Sequence, residues 1–251
     1  MKINFLKKII GALGYKLVEK NLVKNKRILN DKFFNLDMIL NHLFLSNNIK
    51  DIIQIGSNDG KRFDPLNKYL NIYDTKTIFV EPIKEYFDKL KLNYSQKKNS
   101  IFENIAISSI DGEIDIFKVS DKNIKYYDDH IAGISSLDKN HLIKHKVRRK
   151  HISVEKVNCL TLRSLIKKHN IVNLDLLLLD VEGHEGIILN DFFDNVKFRP
   201  TIIFEYIHID NKIFSDVLRK IKLNNYLYSD FDENLICFPA EKSEIFKLSS
   251  F

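Results

Sequence analysis

The residues of this sequence that could do chemistry begin with a glycine loop after a short apolar run. Residues 51–55 read DIIQI and residues 56–60 read GSNDG. Gly56 and Gly60 let the backbone turn sharply and approach a ligand closely, where a Cβ would clash. Apolar residues then recur at helical spacing, so the loop is expected to join a strand to a helix. Backbone N–H groups at such a junction are expected to point towards a nucleotide-like ligand.

A second segment, TIFVEP at residues 77–82, places an acid where a ribose would need one. It has the pattern of the next strand and ends in Glu81, roughly 20 positions past the glycine loop, where an acid can accept hydrogen bonds from two ribose hydroxyls. Pro82 removes a backbone donor and stops the strand. Together the two segments favour a ribose-bearing cofactor. The alternative is that both are ordinary turns of an α/β protein, which often use Gly, Asn and Asp.

A third group of ionisable residues follows two further apolar runs. The run LDLLLLDV at 174–181 continues into EGHE, so that Asp180, Glu182, His184 and Glu185 lie close together in the sequence. The next run, TIIFEYIH at 201–208, carries an acid and a histidine near its far end. Ligands of open α/β sheets bind at the carboxyl ends of the strands, which is where these residues are expected to lie.

The elements that must position these residues alternate between strands and helices. The near-continuous apolar run at 174–181 predicts a central strand that is covered on both faces. The predicted strands cover 51–55, 77–80, 101–107, 113–119, 152–157, 174–181 and 201–208, with a terminal hairpin over 226–238. Helices are predicted at 31–45, 65–70 and 160–169 and after residues 82 and 212. This order indicates an α/β fold.

Composition excludes several classes of protein. A chain of 251 residues fits one α/β domain with additions. Cys159 and Cys237 are the two cysteines, so a disulfide framework is excluded by number and a reducing cytoplasm is favoured. No CxxC pair or Cys/His spacing indicates structural zinc. No apolar run is long enough to span a membrane. The net charge of +7 could favour anionic partners, but Lys, Asn and Ile are frequent throughout, so we give the charge little weight.

Two parts of the chain are predicted to lie outside the central domain. Residues 1–48 are predicted as a helical extension, in which Phe5, Ile9, Leu13 and Leu17 form an apolar stripe. That stripe is expected to pack on the domain or a partner, and the alternative is contact of residues 1–20 with a membrane surface. Residues 120–152 are predicted as a lid or substrate insertion. Their basic run, 144–151, would attract an anionic ligand or be a solvated surface.

With these residues placed, the chain resembles the FkbM family of S-adenosylmethionine-dependent methyltransferases. The resemblance covers about residues 51–238, and its most specific segment is DVEGHE at 180–185, in this order after the glycine loop. It also rests on IGSNDG at 55–60, FVEP at 79–82, NIAIS at 104–108, Val157, TL at 161–162, Leu165 and IFE at 203–205. It implies a class I, Rossmann-like domain over residues 49–251. That domain would have a seven-stranded sheet, helices on both faces and a C-terminal antiparallel hairpin.

The resemblance also implies which residues bind S-adenosylmethionine (SAM). The residues implied are Gln54, Gly56, Ser57, Asn58 and Gly60 around the methionine part, Glu81 at the ribose, Asn104 and Ile105 at the adenine edge, and Asp180. Gln54 is a departure, because such enzymes usually carry an acid there. Its amide oxygen can accept a hydrogen bond from an ammonium without the charge, or the role could pass to Asp59 or Asp180. Arg163, where the family commonly has an acid, is expected to be structural.

Methyl transfer to oxygen is the chemistry that the resemblance implies. An alcohol needs a base or a metal, and Asp180, His208 and Glu205 are the candidate catalytic residues. Asp180, Glu182 and Glu205 could instead hold a divalent cation. His208 could also be a hydrogen-bonding or surface histidine, and His184 is expected to support the site or be exposed. The expected acceptor is a small molecule, glycan or lipid-linked saccharide of a bacterial surface-polysaccharide or glycolipid pathway. It would be reached from the cytoplasm or the inner face of the membrane.

Two other classes of function remain as alternatives. A nicotinamide-dependent oxidoreductase also needs a glycine loop and a ribose acid, but this loop lacks the third glycine of Gly-x-Gly-x-x-Gly. A non-catalytic protein that binds nucleic acid or another anion would use the positive charge. However, the sequence has no Trp and no aromatic-and-basic stacking motif, so we expect no nucleic-acid partner.

Overall fold

The computed structural model describes residues 35–46, 49–62, 64–231 and 233–242. The predicted apolar stripe of residues 1–20 lies outside these residues, and so does the predicted start of the first helix at residues 31–34. No helix in the described part of the chain has the length and apolar character that crossing a membrane requires.

Within the described residues there are eleven strands and eight α-helices, which are numbered in chain order. The strands are β1 (Asp51–Ile55), β2 (Lys76–Val80), β3 (Ser100–Glu103), β4 (Ala106–Ser108), β5 (Gly112–Val119), β6 (Ser135–Ser136), β7 (Ile152–Thr161), β8 (Leu176–Leu179), β9 (Thr201–Glu205), β10 (Tyr226–Phe231) and β11 (Asn234–Pro239). The helices are α1 (Leu36–Leu45), α2 (Asn67–Ile72), α3 (Lys84–Asn93), α4 (Asp129–Gly133), α5 (Lys139–Lys144), α6 (Leu162–Lys168), α7 (Glu185–Asn195) and α8 (Asn211–Leu223).

Seven strands form the central sheet, in the order β10-β11-β9-β8-β1-β2-β3. The pairs that join β9, β8, β1, β2 and β3 are parallel, whereas β11 is antiparallel to both of its neighbours. The last strand among the described residues, β11, is therefore inserted in the reverse direction. This arrangement confirms the predicted class I methyltransferase fold with its terminal antiparallel hairpin.

Helices cover both faces of this sheet, as predicted. Successive residues of a strand point to opposite faces, so Leu177 and Leu179 join one apolar cluster while Leu176 and Leu178 join the other. Helices α6, α7 and α8 pack on the first face, and α1, α2 and α3 pack on the second. Burial on both faces explains why β8 consists of four leucines.

Helix α1 belongs to this core, although the sequence assigned it to the N-terminal extension. Its buried residues pack with strand residues of the second face, and the Phe44 ring stacks on Tyr69 with centroids 4.8 Å apart. Asn35 begins the helix by accepting a hydrogen bond from the Met38 N–H at 2.8 Å. The boundary at residue 48 stays a prediction.

The single strand predicted over residues 101–107 is in fact two strands in two sheets. Strand β3 ends at Glu103, and β4 begins at Ala106 in a second sheet with the order β4-β7-β5-β6. The break lies at Asn104, whose side-chain amide donates to the carbonyl oxygens of Glu81 and Pro82, both at 2.9 Å. These bonds turn the chain away from the central sheet.

The predicted insertion, residues 120–152, contains more regular structure than the sequence indicated. It consists of a 3-10 helix at Asp121–Tyr126, helix α4, strand β6, helix α5 and a 3-10 turn at Arg149–His151. A small apolar cluster of its own, which includes Ile134, Leu142 and Val147, holds these elements against β5. The sequence did not reveal these short elements, which pack around a few buried side chains, and the role of residues 120–152 as a lid or substrate insertion stays a prediction.

Candidate functional site

A cavity of about 320 Å³ opens at the carboxyl ends of β1, β2, β8 and β9. Seven of the nine residues predicted to bind the cofactor lie in its wall: Gln54, Gly56, Ser57, Asn58, Glu81, Ile105 and Asp180. Segments far apart in the sequence thus meet here because parallel strands end at the same edge of the sheet. The insertion supplies a further part of the wall through Ser135, Ser136 and Leu137.

Glycine is required at position 56 because the loop after β1 presses against the end of β8. The φ angle of Gly56 is +81°, and an added Cβ would lie 1.7 Å from the carbonyl oxygen of Asp180. A side chain would therefore push the glycine loop away from the acidic segment. The close approach places the two halves of the cavity side by side.

The backbone N–H groups of the glycine loop bond within the protein. Gly56 and Ser57 both donate to the Val80 carbonyl at 3.0 Å, and Gly60 donates to Ser57 at 2.9 Å. The expectation that these groups point towards a ligand was wrong, because closing the loop onto β2 uses them. Side chains must therefore supply the polar contacts at this end of the cavity.

Glu81 is the carboxylate that the loop positions. Its Oε2 accepts a hydrogen bond from the Asn58 N–H and its Oε1 accepts one from the Ile83 N–H, both at 2.8 Å. Burial raises the pKa of Glu81 to about 7, and the two N–H donors oppose that rise. A carboxylate offers about four acceptor positions, so two remain for ribose hydroxyls.

Gln54 stands beside an acid that the sequence did not single out. The Gln54 amide donates to Asp64 Oδ1 at 3.0 Å, while Gln54 Oε1 is buried and has no partner among the described residues. Asp64 also lines the cavity, and burial raises its pKa. The structure brings Asp64 to the position where an acid was missing. Asp59 instead bonds to the Arg62 side chain at 2.7 Å.

Gly60 and Asn104, the other two predicted cofactor residues, do not line the cavity. Gly60 has a φ angle of +68°, and an added Cβ would lie 2.5 Å from Leu90 Cδ1, so this glycine is needed for packing. Asn104 holds the backbone of Glu81 and Pro82 by the hydrogen bonds described above. Both residues act on the shape of the site from outside it.

The other half of the cavity contains acids that face one another. Asp180 is accessible from the cavity but closely surrounded by protein, and this desolvation, with Glu182 nearby, raises its pKa to about 7. Burial and then the charge of Asp180 raise the pKa of Glu205 to about 9. These two predicted catalytic acids therefore lie close together at this end of the cavity, and the protonation state of one affects the pKa of the other.

Glu185, which the sequence analysis left without a role, completes this group. It is fully buried and accepts hydrogen bonds from the N–H groups of Val181 at 2.7 Å and Gly183 at 3.0 Å. Burial raises its pKa to about 8. Glu185 fixes the turn after β8, and ligand atoms of Asp180, Glu185 and Glu205 lie within 4.8 Å of one another.

The predicted metal set of Asp180, Glu182 and Glu205 is divided in the structure. Glu182 adopts a left-handed backbone conformation, with φ of +56°, and its Oε2 lies 2.7 Å from Nε2 of His141. This turn takes Glu182 towards three histidines, while Asp180 and Glu205 stay with Glu185.

The structure places His208 among those histidines and outside the lining of the cavity. Its ring centroid lies 4.6 Å from that of His141, and its Nε2 lies 3.8 Å from Glu205 Oε1. Burial, and then His141, lower the pKa of His208. His208 thus lies beside Glu205 and not in the wall of the cavity, and its catalytic role stays a prediction. His184 does line the cavity, within 2.8 Å of Ser108 Oγ, and burial lowers its pKa to about 4.

A protein-family model matches most of this chain. The model of the FkbM methyltransferase domain matches residues 54–228, which is more than half of the chain. This chain belongs to the FkbM methyltransferase domain family. The match begins at Gln54 in β1 and ends at Tyr228 in β10, so it spans the central sheet from the glycine loop to the first strand of the hairpin. No curated protein sequence matches the chain.

Three solved structures with partial similarity to this chain have methyltransferase in their names. An FkbM methyltransferase from Methylobacillus flagellatus KT is 9% identical with a TM-score of 0.45, covering 76% of this chain and 44% of that one. The METTL16 methyltransferase domain is 10% identical with a TM-score of 0.46, and the match covers 81% of this chain and 65% of that domain's chain. A human methyltransferase 10 domain-containing protein is 9% identical with a TM-score of 0.40, covering 83% and 85%. This chain thus covers less than two thirds of the length of the first two of these proteins.

Membership of the FkbM family implies the use of SAM, and the cavity suits this cofactor. The buried oxygen of Gln54 lacks a protein partner among the described residues, and Asp64 beside it can add negative charge for an ammonium group. Glu81 keeps acceptor capacity for a ribose. Gly56 lets the glycine loop close against Asp180, which brings the two halves of the cavity together.

Proposed function

We propose that this FkbM-family protein transfers a methyl group from SAM to a hydroxyl oxygen of a sugar, glycan or lipid-linked saccharide. The observation that carries the proposal is the pair of acids Asp180 and Glu205 at the end of the cavity, with pKa values raised to about 7 and about 9. A group with a pKa near the working pH is the most effective general base.

The two halves of the cavity suit two different tasks. Gln54, Asp64 and Glu81 would bind the amino-acid and ribose parts of SAM, whose sulfonium supplies an electrophilic methyl group when bound. Asp180 would accept the proton of the acceptor hydroxyl as the oxygen becomes the nucleophile. Glu205, which carries its proton at neutral pH because of its raised pKa, could donate a hydrogen bond that orients the acceptor. Alignment of this kind can supply several orders of magnitude in rate.

The nature of the acceptor is supported by the insertion beside the cavity. Lys144, Arg148, Arg149 and Lys150 are exposed in it, while Ser135, Ser136 and Leu137 of the same segment line the cavity. Exposed basic residues on a segment that also lines the cavity would attract anionic substrates. We therefore extend the proposal to acceptors that carry phosphate or acidic sugars. Work at the cytoplasmic face of a membrane, with contact through residues 1–20, is part of the same proposal.

The proposal is tested by acceptor screening with SAM as donor and release of S-adenosylhomocysteine (SAH) as the readout. Saccharides and lipid-linked saccharides should give turnover that Asp180→Asn lowers and that Glu113→Gln, an exposed acid on β5, leaves unchanged. Turnover of amines but not hydroxyls would contradict the oxygen acceptor. Binding of NADH in place of SAH would favour the oxidoreductase alternative.

A divalent cation held by Asp180 and Glu205 is the alternative means of activating the hydroxyl. The two routes differ in their response to chelation. A carboxylate base needs no added cation, whereas a cation route predicts turnover that is lost with a chelator and restored by Mg²⁺ or Mn²⁺.

Vesicle co-sedimentation with anionic and neutral lipids tests the proposed membrane contact. Equal binding to both kinds of vesicle would contradict an electrostatic contact.

A further inference from the structure

Three histidines and one glutamate converge beside the cavity. His141 and His145 come from α5 and the residue that ends it, Glu182 follows β8, and His208 follows β9. Each offers one ligand atom, and these atoms all lie within 4.8 Å of one another. The ring centroids are 4.5 Å apart for His141 and His145, 4.6 Å for His141 and His208, and 5.1 Å for His145 and His208.

This cluster has the composition of a transition-metal site. His141 and His145 are four residues apart on one face of a helical turn, which is the spacing that zinc-binding helices use. Imidazole nitrogens with one carboxylate suit Zn²⁺, Co²⁺ or Ni²⁺, whereas Mg²⁺ and Ca²⁺ take oxygen ligands. We infer that His141, His145, Glu182 and His208 bind one transition-metal ion, with Zn²⁺ as the reference ion.

The rearrangement needed to admit an ion is small. Zinc bonds of about 2.0–2.1 Å in a tetrahedron place the ligand atoms about 3.4 Å apart. His141 Nε2 and Glu182 Oε2 are 2.7 Å apart. An ion would replace their hydrogen bond, and the distance between these two atoms would increase by less than about 1 Å. The other ligand atoms would move inwards from separations of at most 4.8 Å.

The backbone that carries the ligands is held in place by contacts that do not involve the ligand side chains. Asp138 caps α5 by accepting the Asn140 N–H at 2.8 Å, and Leu142 anchors that helix in the apolar cluster of the insertion. Ser136 Oγ donates to the Glu182 carbonyl at 2.9 Å, which joins the insertion to the loop after β8. Such surrounding contacts position the ligands of a metal site.

Four protein ligands are the number found in closed, structural zinc sites. Two of the four ligands belong to the insertion and two to loops at the carboxyl ends of the central strands. The ion would therefore clamp the insertion onto these loops, and the wall of the cavity formed by Ser135 and Ser136 would be fixed with it. This inference stands on the cluster alone and does not depend on the proposed methyl transfer.

The site is tested by metal titration of tag-free, chelator-treated protein. Calorimetry and native mass spectrometry should find one Zn²⁺ per chain, with no binding of Mg²⁺ or Ca²⁺. We expect His145→Ala and His208→Ala each to weaken Zn²⁺ binding by at least about 100-fold, more than the loss of a supporting contact would cause. His42→Ala, on α1, is the matched control and should bind as the wild type does.

Two further measurements separate a clamp from a hydrogen-bonded histidine cluster. Bound Co²⁺ should give the intense visible absorption of a tetrahedral site, and Zn²⁺ should slow hydrogen exchange in residues 120–152 of the wild type but not of His145→Ala. Circular dichroism checks that each variant is folded. Failure of the folded wild type to bind Zn²⁺, or equal binding by a His145→Ala/His208→Ala double variant, would overturn the inference. Binding without slower exchange would overturn the clamp.

Discussion

The carboxyls at the two ends of the cavity have different surroundings. Glu81, at the end formed by the loops after β1 and β2, accepts two backbone N–H groups. Asp180 and Glu205, at the end formed by the loops after β8 and β9, face one another and have Glu182, Glu185 and Glu233 nearby. The first end therefore supplies donors to its acid, and the second surrounds its acids with like charge.

This difference separates binding from proton transfer. Two backbone N–H groups fix the position of the Glu81 carboxylate and oppose the rise of its pKa to about 7, which suits a group that binds ligand hydroxyls. Desolvation and neighbouring acids raise the pKa of Asp180 to about 7 as well, and at neutral pH this suits a group that must accept a proton. Changes at the two ends should therefore affect different measured quantities.

The largest effect is expected where the two ends meet, at Gly56. Replacement by alanine puts a Cβ 1.7 Å from the Asp180 carbonyl oxygen in a backbone conformation that favours glycine. We expect Gly56→Ala to lower the free energy of unfolding by at least about 3 kcal/mol and to abolish SAH binding. Chemical denaturation and calorimetry measure the two changes.

Gly112→Ala is the control for this substitution. Gly112 also has a positive φ, of +137°, but an added Cβ would have no atom within 4 Å. It should therefore show the cost of backbone strain alone and keep SAH binding. Equal effects of the two substitutions would mean that the close approach of the loop to β8 is unimportant.

The next effect concerns the rate of methyl transfer. Asp180→Asn keeps the shape of the side chain but removes the base, so kcat should fall by about 10²–10⁴-fold. Glu81→Gln should instead act mainly on SAH affinity. Steady-state kinetics with an identified acceptor, together with SAH calorimetry, separate the two. If both substitutions change only affinity, the two ends do not differ in the way described.

A smaller effect is expected in the stability of the ligand-free protein between pH 6.5 and 9. Glu185 and Glu205 have pKa values raised to about 8 and 9, so the native state binds more protons than the unfolded state in this range. Stability from these groups is present at low pH and is lost as the pH rises through those values. We expect a loss of about 2 kcal/mol or more by denaturation, and a smaller loss in Glu205→Gln.

The smallest effect is on the pH dependence of ligand binding. Ribose hydroxyls donate to ionised Glu81, whose pKa in the free protein is about 7, so SAH affinity should fall as the pH drops below 7. The expected limit is about tenfold per pH unit. Calorimetry in several buffers measures this slope, and an affinity that is constant from pH 5.5 to 7.5 would contradict the assigned role of Glu81.

The sequence predicted the features that depend on neighbouring residues. The glycine loop, Glu81 at the end of its strand and the acidic segment at 180–185 were recognisable because each combines a strand pattern with a fixed spacing. The alternation of elements, and the hairpin at the end, predicted the sheet. Glycine at position 56 was expected from the turn alone, and the structure adds the close contact with Asp180.

The features that the sequence did not reveal depend on contacts between distant segments. Asp64 belongs to the site because the fold brings its carboxyl against Gln54. Glu185 belongs to it because this residue is buried below the turn after β8 and accepts a hydrogen bond from that turn. The histidine cluster consists of residues 141, 145, 182 and 208, and no single spacing rule connects all four. Helical spacing of His141 and His145 was the one local sign of it.

Calorimetric titration with SAH tests most directly whether the end of the cavity around Glu81 is a cofactor site. The wild type should bind one SAH per chain, and Glu81→Gln should weaken binding by at least about tenfold through loss of charge-assisted hydrogen bonds. Glu103→Gln, a buried acid that ends β3 outside the cavity, should bind as the wild type does. No binding by the folded wild type, or equal binding by Glu81→Gln, would contradict the account.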